Sequence, residues 1–122
     1  MHDVQPLVEA VDKLADRFRS LPQSKLLGAV PGYSSRAAAV LALARRLAAL
    51  ALAAEGGPQR EFPDAGAFAV GDQLAVAGHD LAAALAALPG GTVVALPEGP
   101  ATVGEVLAGA VAAVRETAEL CV

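Results

Sequence analysis

The chain has 122 residues, 55% hydrophobic but only 3% aromatic, a net charge of −4 and a single cysteine. That length holds one domain, residues 1–122, with a core large enough to stand without disulfides or metals. An acidic balance and few aromatic rings argue against nucleic-acid binding, single-strand stacking platforms and an aromatic-walled ligand site.

The first segment, Asp3 to Leu21, reads as an amphipathic helix. Val4, Leu7, Val11, Leu14, Phe18 and Leu21 fall three and four apart, a seam of the a/d type. Asp3 is the expected N-cap, Pro6 sits harmlessly in the first turn, and Pro22 ends the helix. Residues 22–33 connect to the next long helix. Ser24 is expected to cap a short extra turn there, with Leu26, Leu27 and Val30 folded back over one end of the bundle.

Ser34 or Ser35 caps a second long helix running to about Glu55 and stopped by Gly56-Gly57-Pro58. Val40, Leu43, Leu47 and Leu50 form its main stripe, and Arg45 and Arg46 reach out between alanines. Ala37 to Ala54 approaches the length of a membrane span. The two central arginines would each cost roughly 2.5–3.5 kcal/mol in a bilayer, so it is read as a soluble helix.

Residues 56–64 form a polar loop, and Asp64 caps a third helix ending near Leu88. Its seam is Val70, Leu74, Ala77, Leu81, Leu85 and Leu88. A second stripe, Gly71, Ala75, Gly78 and Ala82, holds only small residues. Each mid-helix glycine costs about 0.8–1 kcal/mol against alanine, so two on one face point to a helix packed at close range. Thr92 to Leu96 is β-branched but has no evident partner, and it is read as an extended connector. Thr102 and Glu105 then make a capping box for a last helix to about Leu120.

The pattern predicts an all-α fold: four main helices in an antiparallel bundle, with one short extra turn in the 22–33 connection. Residues 1–60 hold eight of the nine basic side chains against five acids, and residues 61–122 one base, Arg115, against eight acids. A positive front half and an acidic back half suggest complementary packing, within the chain or between two copies.

Five residues are candidates for a ligand-binding patch: His79, Asp80 and Asp72 on the third helix, Arg45 and Arg46 on the second. A helix-borne histidine is how phosphotransfer bundles carry phosphate, but an acid and small apolar residues follow His79 where those domains place a lysine. With the second and third helices antiparallel, residue 45 lies opposite about residue 77, which predicts Arg45–Asp80 and Arg46–Asp72 ion pairs. No Glu-x-x-His occurs for a carboxylate metal centre, and no glycine-rich phosphate loop follows a strand, so neither cofactor nor metal is expected. Cys121 cannot pair internally and the N-terminus lacks an apolar signal region, which fits the cytoplasm. The Ala-rich, Arg-over-Lys usage has the look of a GC-rich bacterial genome.

The expected role is non-enzymatic: a bundle that self-associates, most simply as a homodimer, or serves as a small adaptor subunit for a protein partner. Its helices offer more apolar surface than one core uses. The alternative is a small-ligand bundle or enzyme built around His79.

Overall fold

The protein is mostly helical, with five helices and one two-stranded sheet in the computed structural model, which describes residues 2–122. Helix α1 spans Gln5–Arg19 and buries Leu7, Val11, Leu14 and Phe18, the expected seam. Asp3 accepts the Gln5 N–H at 3.0 Å, so it tethers the start of α1 from one residue outside. The extra turn, α2, is Gln23–Leu26; Leu26 and Val30 fold inward, while Leu27 stays half exposed.

Helix α3 spans Arg36–Glu55. The Ser35 hydroxyl accepts the Ala38 N–H at 2.9 Å, and Gly56 ends the helix at φ 73°, a left-handed position. By length and hydropathy α3 is long and apolar enough to cross a bilayer; half of that window is buried inside this fold.

Helix α4, Val70–Ala86, starts later than expected. Asp64 accepts the Gly66 N–H, and a single 3-10 turn over Ala67–Ala69 precedes the helix. The small-residue stripe does what its glycine content implied. A Cβ on Gly78 would lie 2.6 Å from both Val11 methyls, and one on Gly71 would lie 3.0 Å from the Ala15 carbonyl. Helix α1 therefore packs against α4 closer than any side chain would allow.

Two expectations fail. The connector at 92–96 is a strand: β1 (Val93–Leu96) pairs antiparallel with β2 (Gly99–Thr102), turning at Pro97-Glu98, and Val94 drops into the core. The fold is thus not purely α. Thr102 ends β2 and caps α5 (Val103–Leu120), with both bonds of the capping box formed.

The second failure is the direction of α4. Residues 56–66 do not make a short reversal but run back along α3 as a strap. The Gln59 amide donates to the Ala49 carbonyl, Arg45 to the Phe62 carbonyl, and Gln73 to the Pro63 carbonyl. The 3-10 turn then packs against α2 and α3, at the end where Arg36 starts α3. Helices α3 and α4 therefore run in the same direction, not antiparallel. An extended chain gains about 3.3 Å per residue against 1.5 Å for a helix, so eleven strap residues can retrace most of α3.

Helix α1 runs opposite to α4, since Arg19 meets Asp72 and Asp12 meets His79. Helix α5 runs opposite to α3, since Arg36 bonds the carbonyls of Cys121 and Val122. Going round, α1 touches α4, α4 touches α3, α3 touches α5, and α5 touches α1. Contact is extensive between α3 and α4 and much thinner along both sides of α5.

Candidate functional site

The five sequence candidates do not converge. His79 Nε2 lies 2.7 Å from Asp12 on α1, both half exposed. Asp72 accepts from Arg19 Nε at 2.8 Å, and Asp16 takes the same guanidinium at 2.7 Å. Those two carboxylates hold the Arg19 proton more tightly than an isolated arginine would. Arg46 pairs with Glu98 in the β-hairpin turn. The expected Arg46–Asp72 and Arg45–Asp80 pairs are not formed. With α4 parallel to α3 and the strap between them, Arg45 spends its donor on the Phe62 carbonyl instead.

Only Arg45 and Asp80 share a concavity. It holds about 410 Å³ between α3, α4 and the strap, with Glu55, Arg60, Glu61 and the exposed Val76 on its walls. Both signs of charge face it, and all of these side chains stand in solvent. Among the described residues, no three of His, Cys, Asp or Glu gather closely enough to hold a metal ion.

A larger groove, about 800 Å³, opens between α1 and α5. Leu14 and Val114 are its buried floor, and Ala10 and Ala118 give it depth because they are small. Lys13, Arg17 and Arg115 border it, with Glu9 and Glu119 beside them. Arg17 donates to the Ala118 carbonyl at 2.9 Å and places its guanidinium 5.8 Å from the Phe18 ring, which clips the two helices together at one end. Lys13 and Arg115 form no ion pair among the described residues. Val122 stands at the mouth, 86% exposed.

Arg36 ties the backbone of Val122 to that of Lys25. Nearby Leu27 is 51% exposed, and Phe68, on the turn that packs against α2, is 72% exposed.

Sequence reasoning missed this groove. Pro6, Ala10, Lys13 and Arg17 recur at helical spacing on the outer side of α1, a mix of small and charged residues that a solvated face also carries. The one usable signal was Arg115, the lone base of an acidic half.

Electrostatics elsewhere serve local structure. The Thr102 N–H and hydroxyl hold the Glu105 carboxyl below its ordinary range, and Arg46 does the same for Glu98. Burial pushes the Cys121 thiol up, which keeps it a packed hydrophobe rather than a nucleophile. The chain matches no protein-family model, no curated protein and no solved structure, so its function is read from its own residues.

Proposed function

We propose that this protein is a non-enzymatic helical bundle, its four long helices forming one body, that works in the cytoplasm by self-association as a homodimer. The observation that carries this reading is the α1/α5 groove. It combines a floor of Leu14, Val114, Ala10 and Ala118 with a rim of both charge signs, a composition suited to a helical interface. Val122 at its mouth is exposed and adds to the apolar surface in need of cover. A small adaptor subunit that pairs with another protein through the same groove is the same reading with a different occupant.

The test compares the native chain with Ala10→Glu, which sets a charge on the groove floor at a half-exposed helical position. In light scattering across a dilution series, the native chain should run as a dimer that dissociates on dilution. Ala10→Glu should be monomeric at every concentration, with its helical circular dichroism unchanged. A native chain that is monomeric throughout contradicts the reading.

A second reading rests on the Arg45–Asp80 concavity, which offers both charges to a small zwitterion. It requires that Asp80→Ala abolish ligand-induced thermal stabilisation while Asp72→Ala, outside the concavity, does not.

A further inference from the structure

The α1/α5 groove has a charge pattern as well as an apolar floor. Its two buried floor residues, Leu14 and Val114, each have a cation as chain neighbour: Lys13 on the α1 wall and Arg115 on the α5 wall. Neither cation has an acidic partner among the described residues. Arg17, one turn on from Lys13, uses one nitrogen on the Ala118 carbonyl and keeps its other donors. Glu9 lies one turn before Lys13 and Glu119 one turn after Arg115. Because α1 and α5 run in the same direction, these acids stand towards opposite ends of the groove and leave its centre cationic. Three bases against two acids make the rim positive on a chain whose net charge is −4. A second copy seated here brings the same cations with it and leaves them unmatched.

We propose that the α1/α5 groove takes one acidic amphipathic helix of a partner protein, its apolar stripe on the Leu14–Val114 floor and a carboxylate on each flank, one towards Lys13 and one towards Arg115. This rests on the adaptor form of the reading above and names the partner's chemistry; the partner helix and a second copy compete for one floor. The dimensions suit a helix. Ala10 and Ala118 leave depth for it, and Pro6 to Arg17 spans about 16 Å, three helical turns. Such a helix sets apolar residues three and four apart into a groove and keeps its outer face in water. The groove is open to solvent, so the alkyl chain of a small amphiphile would stay largely uncovered in it. Lys13 and Arg115 are exposed, and their long stems let the charged ends reach up beside the occupant. Two cations on opposite walls select a helix by its charge more than they tighten its hold.

The test titrates the full chain with two designed peptides of about 18 residues, since much shorter helices are marginal in water. Both carry leucine and alanine three and four apart; one has glutamate on both flanks of that stripe, the other lysine. At low salt the glutamate peptide should bind the native chain roughly tenfold more tightly than the lysine peptide, and light scattering should show it turning dimer into a one-to-one complex. In Lys13→Glu/Arg115→Glu the preference should invert; both positions are exposed, so the variant keeps its fold. Lys25→Glu, on α2 outside the groove, should leave the preference as it is. Equal affinity for the two peptides, failure of both to bind, or a preference that survives the double reversal overturns the assignment. So does displacement of the peptide by dodecanoate, which offers a carboxylate and an alkyl chain without a helix. A native chain that is monomeric throughout yet binds the peptides with these preferences overturns self-association and supports the assignment.

Discussion

The helical glycines separate into two kinds once their surroundings are known. Gly71 and Gly78 face α1, and a Cβ at Gly78 would strike Val11 at 2.6 Å. Gly109, in the interior of α5, meets nothing within 4 Å. Gly78→Ala should therefore destabilise the fold by about 1–3 kcal/mol through overpacking. Gly109→Ala should stabilise it by about 0.4–1 kcal/mol through the unfolded chain's lost freedom and better helix propensity. Urea denaturation of the two variants checks both signs; equal effects would show that α1 does not approach α4 as described. The spacing of the small residues already implied a close neighbour but could not name it, because which helix supplies Val11 is decided by tertiary contact. At the same scale, Glu105 makes a pH prediction. Its carboxyl is held below its ordinary value by Thr102, so the stabilisation is complete above about 4.5 and is lost as pH falls through the lowered value. The stability advantage of the native chain over Glu105→Gln at pH 7 should thus shrink at pH 3. A constant difference would mean that the capping box does not form in solution.

The helices themselves were legible because apolar residues three and four apart leave little freedom in which face turns inward. Capping residues were legible too: Ser35, Gly56 and the Thr102–Glu105 pair act where their chemistry predicts. The hairpin was not, since the partner of β1 is Gly-Pro-Ala-Thr, a segment of low β propensity that pairs only because Pro97 and Glu98 turn the chain back. The strap was missed for a related reason. A polar loop reads the same in sequence whether it reverses a chain or lies along a helix, and only the bonds from Gln59, Arg45 and Gln73 decide. Every site pairing that assumed an antiparallel α4 failed with it. One residue ties three elements together: Arg36 at the start of α3 donates to carbonyls of Lys25, Cys121 and Val122. Arg36→Ala should cost about 1–3 kcal/mol and loosen the end of α5. The readout is Cys121, whose reaction with a thiol reagent should accelerate several-fold; unchanged protection would remove Arg36 from this role.

The charge asymmetry between the two halves of the chain becomes intelligible in the whole molecule. Arg19 and Arg46 from the basic half meet Asp72 and Glu98 from the acidic half, so part of the complementarity is satisfied within one chain. These pairs stand in solvent and orient the helices more than they hold them. Around α5, thin contacts with α1 and α3 open a groove on each side. A bundle of this size gains by covering such a surface, and a second copy is always at hand at its own concentration. Sedimentation equilibrium of the native chain over a wide concentration range tests this most directly. A reversible monomer–dimer equilibrium that converges on twice the chain mass is the expected result. A single species of one chain mass at all concentrations would contradict it.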